Sequence, residues 1–449
     1  MTAEQRLQRH LKHLRRDGAG QLQSVFGGQI TLQHPARRYR RVFDPATTFW
    51  TFLSQVVHAG SCRNATREVQ ALREAHGQAA ISSANAAYCQ ARQRLPLKLI
   101  EEQARHVAGK LQLSSQWDWR GRRVLLDDAT SCQLPDTPKN QHVYPQPGGQ
   151  KEGCGMPVMQ LLGVFELGSG ALLGWQKSPW FVHESGLFET AVLPHIREGD
   201  VLVADRAYDS YANLARLRML GADAVFRMNA RRNCPLKPGQ QELVQSWKRP
   251  LKSARPEHYN PQEWDALPAT QSVRYIRIDL RRKGFRTREV TLVTTLLDVP
   301  AEQIAALYLR RWQIEVCFRD IKTTLGMELL RGKSPAIAER EVAMHLLAYN
   351  LLRTLMLEAA RQENQSLYQM SFAGARDATC RFAPVIANTA SKRKRTSAIE
   401  ELLRCIGTDP IPIRPDRVEP RAVKRRPKVY QLLNKPRQHM KVAQSRRLK

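Results

Sequence analysis

No stretch of the chain approaches about twenty uninterrupted apolar residues, the length that a membrane-spanning helix needs. The longest apolar segment, 342–360, carries His345, Asn350, Arg353 and Glu358 and reads as a buried helix. The opening MTAEQRLQRHLKHLRR has no apolar signal-peptide core. No membrane partner and no export are expected, and the expected location is the cytoplasm. The eight cysteines, at 62, 89, 132, 154, 234, 317, 380 and 405, form no C-x-x-C pair, and no histidine stands at zinc-finger spacing. That argues against a zinc module or a disulfide framework and fits reduced thiols.

Acidic residues are also scarce. Against 41 of them stand 71 Lys and Arg, a formal charge of +30 on 449 residues. Such a chain repels itself unless a polyanion relieves it, which makes DNA or RNA the first candidate partner. A ribosome-associated or merely basic protein is the alternative that charge alone leaves open. With 42% hydrophobic and 25% charged residues, the composition is that of an ordinary folded protein of about two to four domains.

Residues 1–115 read as mostly helical. The segment SCRNATREVQALREAHG (61–77) is followed by a polar break and SSANAAYCQARQRLP (82–96), with Ser82 or Ser83 as the cap and Pro96 as the stop. The pair reads either as a helix-turn-helix relative, with Asn85, Gln90 and Arg92 near DNA, or as two packed helices. From about residue 121 the pattern changes. RRVLLDD (122–128) is a short apolar run, and 156–176 reads as a hairpin around Gly168-Ser169-Gly170. A helix FETAVLPHI (188–196), a strand DVLVADRAY (200–208), a helix SYANLARLRML and a strand DAVFRMN follow. Antiparallel strands followed by β-α-β units predict an α/β fold with a mixed sheet flanked by helices. Between 230 and 299, strands 272–280 and 288–296 joined through RRKGFRT suggest a β-rich insertion, and a long helix is expected from about Ala301 to Leu330. Residues 411–449 hold 13 Lys or Arg against only Asp416 and Glu419, and their prolines predict an extended tail on DNA or on a second subunit. There is no internal repeat.

Two acids stand where sheets display ligands: Asp128 at the end of VLLDD and Asp205 at the end of VLVAD. Carboxylates at strand ends present hard oxygens to Mg²⁺, although a lone acid there is more often a turn or cap. The long helix is sharper evidence. In LYLRRWQIEVCFRDIKTTL, Tyr308, Arg311, Glu315 and Lys322 fall on an arc of roughly 60° at about 100° per residue, beside the apolar stripe. An ordinary surface pair of Arg311 with Glu315 explains two of the four. A carboxylate for metal with Tyr, Arg and Lys for phosphate oxygens explains all of them.

The pattern Tyr308-x2-Arg311-x3-Glu315-x6-Lys322 resembles the Y-x2-R-x3-E-x6-K signature of bacterial transposases of the fourth insertion-sequence family, DDE enzymes with a ribonuclease-H-like core. DDATSCQLPDTPKN (127–140) and VLVADRAYDSY (201–211) resemble the family's first and second aspartate segments, with Ala129 where glycine is common. FLSQVVHAGSCRNA and RPDRVEPRAVKRRPKVYQLL look like one branch of it, so the resemblance covers most of the chain.

The resemblance implies a catalytic, metal-holding triad of Asp128, Asp205 and Glu315, with Asp128 preferred to Asp127 because a small residue and Thr130 follow it. Asp209 is read as a cap of the next helix. Tyr308, Arg311 and Lys322 are implied to bind DNA phosphates. Two Mg²⁺ ions, replaceable by Mn²⁺, are the implied cofactors. The implied partners are double-stranded DNA, as terminal inverted repeats and target, and a second copy of the chain in a homodimer, nucleoid-associated when bound. The implied activity is cut-and-paste excision and integration through hairpin ends. The alternatives are an inactive transposase-derived DNA-binding regulator and a plain metal-dependent nuclease. Five segments are expected: a helical end-binding domain (1–115), the first part of the core (116–230), the β-rich insertion (231–299), the second part of the core (300–362) and a dimerisation region with basic tail (363–449). Some relatives hold a flipped base with a tryptophan on an insertion strand. Here that position looks like Val290, and Trp247 and Trp264 read as packing residues, so base stacking is unassigned.

Overall fold

The computed structural model describes residues 21–32, 41–251, 253, 255–256, 259–280, 289–412, 433 and 435–440. The opening basic segment, the link RRKGFRT and most of the 411–449 tail lie outside the described residues. The chain divides into two compact units, one of residues 1–115 and 317–412, the other of 116–316 and 413–449.

The second unit is built on one sheet. Its strands are β1 Val124–Gln133, β2 Val158–Glu166, β3 Leu172–Pro179, β4 Val201–Ala204, β5 Asp223–Arg227, β6 Glu242–Lys248, β7 Thr270–Asp279 and β8 Glu289–Thr294, in the order β3-β2-β1-β4-β5-β8-β7-β6. β1, β2 and β3 pair antiparallel, β4 lies parallel to both β1 and β5, and β8, β7 and β6 add antiparallel strands beyond β5. Helices Tyr211–Met219 and Ala301–Leu309 pack on this sheet. This is the expected mixed α/β architecture. The central strands are apolar on both faces, which is why Val124–Leu126 and all of β4 read as unbroken apolar runs. The β2–β3 turn is closed by the Glu166 carboxylate, which accepts from the Gly168 and Ser169 N–H groups, with Gly170 at φ +69.

The strands expected as a β-rich insertion extend this same sheet, β8 pairing with β5. β6 had no signal in the sequence, because only Trp247 of its seven residues is buried and no alternation marks its inner face. The helix expected over 188–196 is an irregular π and 3₁₀ segment, since Pro194 has no N–H to extend a regular ladder. The long helix expected from Ala301 to Leu330 is also interrupted. It runs as Ala301–Leu309, a tight turn at Arg310–Arg311 and Trp312–Arg319, then widens to a π-helical turn over Asp320–Thr324. The turn is held by bonds three residues apart, from Arg310 and Arg311 N–H to Leu307 and Tyr308 C=O, while the Arg310 guanidinium lies 4.6 Å over the Trp117 ring.

The other unit is helical. Its longest helix, Pro335–Gln362, packs against Leu97–Leu113 and is buried at every position from Glu341 to Arg353. The unit boundary at 115/116 coincides with an expected one, and the others fall inside two of the five expected segments, 300–362 and 363–449; residues 1–115 and 317–412 share one core. Helix Cys62–Ala75, capped by Ser61, and helix Ala86–Arg94 pack through Ala65, Val69, Tyr88 and Ala91 around Phe43. The second begins at Asn85 and not at a serine cap; Ser82 Oγ instead accepts from Ala84 N–H. Of the three residues that the helix-turn-helix reading placed near DNA, Arg92 is instead packed inside the helical unit. Arg92 is 4% exposed, pairs with Glu341 at 2.7 Å and lies 4.0 Å over the Phe52 ring. Gln90 is exposed and Asn85 half-buried.

Candidate active site

Adjacent residues of a strand face opposite ways, and β1 separates its two acids accordingly. Asp127 is fully buried beside Tyr208. Burial holds its carboxyl well above the ordinary range, with Tyr208 pulling back and Asp128 and Glu184 adding to the rise. Asp128 instead lines an open cleft of about 1460 Å³, shared with Gln160, Glu184 and Asp205. Burial raises the Asp128 carboxyl; its bond from Ala129 N–H and the nearby Arg311 oppose this, while Asp205 and Glu315 reinforce it. Of the two neighbouring acids, Asp128 is the one that faces open space.

Asp205 follows the last residue of β4, and its side chain makes no capping bond to the short turn Arg206–Tyr208. Its Oδ1 is buried and has no hydrogen-bond partner. Asp209 does not cap the next helix; Ser210 does. Asp209 is buried, accepts from Asn229 N–H at 2.7 Å and pairs with Arg232 at 3.3 Å, so it anchors the loop after β5.

Arg311 ties the site together. From the tight turn it reaches Glu315 Oε1 at 3.0 Å and Asp128 Oδ2 at 3.4 Å, with its side chain 17% exposed. Burial alone would lower the Arg311 pKa, but Tyr308, Asp128 and Asp205 outweigh it and hold the guanidinium charged. Tyr308 is itself buried, and its hydroxyl is raised by burial and held back by Arg311. Asp128, Asp205, Tyr308 and Glu315 are therefore all within electrostatic or hydrogen-bond reach of Arg311. Lys322 belongs to the helical unit, half-buried in the turn Asp320–Thr324.

Among the described residues no three His, Cys, Asp or Glu side chains converge tightly enough to chelate an ion as they stand. The donor chemistry nevertheless fits a hard divalent cation. Asp128, Asp205 and Glu315 offer only carboxylate oxygens, two of these acids raise the pKa of the third, and one Asp205 oxygen is buried without a donor.

The cleft also holds groups that the sequence did not reveal. Trp180 and Phe181, just past β3, are 40% and 61% exposed and stack edge to face at 5.9 Å. Glu184 is half-buried, and burial followed by Asp128 and Asp205 pushes its carboxyl up to about 6. Both features sit in an irregular crossover with no periodicity to flag them. Trp247 and Trp264 line the far part of the cleft as packed residues. Arg232 lies 4.0 Å over the Trp247 ring, whose Nε1–H donates to Tyr275 at 3.0 Å, and Trp264 meets Tyr259 edge-on. Val290 is buried in β8.

The profile of the family described as "Transposase DDE domain" matches residues 119–351, just over half of the chain. The chain is 26% identical over 329 residues, 70% of each partner, to a protein of Escherichia coli (strain K12) described as transposase InsG for insertion sequence element IS4. It is also 26% identical, over 45% of this chain and 50% of the relative, to the transposase for insertion sequence element IS231C of Bacillus thuringiensis subsp. berliner. A probable transposase for insertion sequence element IS5377 of Geobacillus stearothermophilus is 36% identical over 19% of this chain and 22% of its own length.

Proposed function

Because the chain belongs to the transposase DDE domain family, we propose that it excises an insertion sequence and joins it to a target, with Asp128, Asp205 and Glu315 as its catalytic triad. It is a DNA-acting transposase that depends on divalent metal. The observation that carries the residue assignment is Arg311 bridging Asp128 and Glu315 at the edge of the cleft that Asp128 shares with Asp205.

The three carboxylates would hold the metal, which we assign as two Mg²⁺ ions with Mn²⁺ as a substitute. Bound there, it supplies Lewis acidity toward phosphate oxygen and a more acidic water or 3′-hydroxyl. The remaining work falls to the protein. Arg311 presents a planar pair of N–H donors suited to a phosphate, and half-burial keeps it oriented. Tyr308, whose hydroxyl lies within electrostatic reach of Arg311, and Lys322 take neighbouring phosphates by the spacing of the signature. By family resemblance, the first nick leaves a 3′-hydroxyl whose oxygen attacks a phosphorus of the opposite strand and expels that strand's 3′-oxygen. The resulting hairpin is reopened by water before the freed 3′-end attacks the target. One site thus serves successive in-line displacements without a covalent protein intermediate.

We assign recognition of the terminal repeats to residues 1–115, and pairing of two copies to the region after 363. The test is cleavage of a labelled element end. Asp128→Asn, Asp205→Asn and Glu315→Gln should each abolish cleavage and retain end binding in a gel shift; an active Asp205→Asn would overturn the triad.

A further inference from the structure

The crossover from β3 to β4 brings a carboxylate to the cleft that the triad does not use. Glu184 begins the short turn Glu184–Leu187 after β3 and lines the cleft with Asp128 and Asp205. Its side chain has no evident role in the fold. His183 Nδ1, and not Glu184, accepts the Ser185 N–H that starts the turn. Among the described residues, the one hydrogen bond to the Glu184 carboxylate is a long one from Gln160 Nε2, 3.5 Å. The charges that bear on it are those of Asp128 and Asp205, both of its own sign. Arg311 forms its ion pairs with Asp128 and Glu315, not with Glu184.

A half-buried carboxylate facing two others is unfavourable unless a cation joins them. Asp205 adds a buried oxygen with no donor. The cluster is thus divided: Arg311 bonds Asp128 and Glu315, whereas among the described residues neither Asp205 nor Glu184 forms an ion pair, although the Arg311 charge still bears on Asp205. We propose that Glu184 is a fourth carboxylate of the reaction centre, an oxygen ligand of the divalent cation held by Asp128 and Asp205. This rests on the assignment of those two aspartates as ligands.

The test reads metal binding, not activity. Mn²⁺ binding to the full-length, DNA-free protein is followed by the loss of the free-ion electron paramagnetic resonance signal, for wild type, Glu184→Gln and Asp128→Asn. Glu184→Gln should weaken Mn²⁺ binding about tenfold or more, with a thermal midpoint in metal-free buffer at or above that of wild type, since one repelled charge is gone. If Asp128→Asn weakens binding and a folded Glu184→Gln does not, the fourth ligand is overturned and the triad stands. If Asp128→Asn leaves binding unchanged, the triad fails and Glu184 with it. Should Glu184→Gln not fold, wild-type protein loaded with Fe²⁺ and treated with ascorbate and peroxide gives the same answer. Backbone cleavage at 183–185 together with the β1 and β4 ends supports the ligand; cleavage at β1 and β4 alone overturns it.

Discussion

At the scale of single residues, the choice between neighbouring acids is a matter of facing. Asp128 looks into the cleft while Asp127 is buried on the other side of β1. Asp127→Asn should therefore retain substantial cleavage where Asp128→Asn has none; the reverse pattern in an end-cleavage assay would transfer the ligand role to Asp127. Arg311 makes a second prediction. Arg311→Ala removes a charge-assisted contact worth roughly 1.5–3 kcal/mol, and Arg311→Lys should not restore it because a lysine ammonium lacks the planar fork of two parallel N–H donors. The loss should appear in the hairpin and joining steps of a time course more than in the dissociation constant for DNA, which many other basic groups support. The Tyr-Arg-Glu spacing was legible in the sequence because it is local. Glu184 and the Trp180–Phe181 pair were not, since only the tertiary path of an irregular crossover brings them to the cleft.

At the scale of elements, regular segments were readable and departures from regularity were not. The 28-residue helix Pro335–Gln362 announced itself by its apolar run. Counting 100° per residue through 308–322 assumed an unbroken helix, and the tight turn at Arg310–Arg311 and the π-helical turn break that phase. Arg92 shows the same limit: a basic residue on a short basic helix looks like a DNA contact until its buried partner Glu341, far along the chain, is known. Breaking such a buried pair costs about 3–5 kcal/mol, so Arg92→Met should lower the urea-unfolding free energy by about that much. An unchanged stability with weaker end binding would return Arg92 to the DNA. His345, on the same long helix, is buried with its Nδ1 2.6 Å from the Glu341 carbonyl, and burial lowers its pKa below 6.5 despite that bond. The fold thus keeps it neutral while the unfolded chain takes up a proton. Stability present above about pH 6.5 is lost as pH falls toward the folded pKa. Thermal midpoints measured from about pH 7.5 to about pH 5 should decline, and His345→Gln should flatten the decline.

For the whole molecule, the charge of +30 predicts DNA binding that weakens steeply with salt, with a log–log slope near −0.9 for each phosphate neutralised. The organisation into units also alters how end recognition is tested. Helices within 1–115 share a core with 317–412, so deleting 1–115 would strip the cover from the long helix and unfold the protein. Substituting the exposed Gln90, Gln93 and Arg94 of the Ala86–Arg94 helix is the cleaner probe; it should reduce preference for the element's own ends over random DNA, as read by competition gel shift.

What sets a transposase apart from a nuclease or a bound regulator is the joining of strands. The most direct measurement is a time course with labelled element ends, Mg²⁺ and a target plasmid, resolving nicked, hairpin and joined products for wild type and Glu315→Gln. Wild type should yield the three products in that order, and Glu315→Gln should bind the ends and yield none. Cleavage without joined product, or binding without cleavage by the wild-type protein, would contradict the assignment.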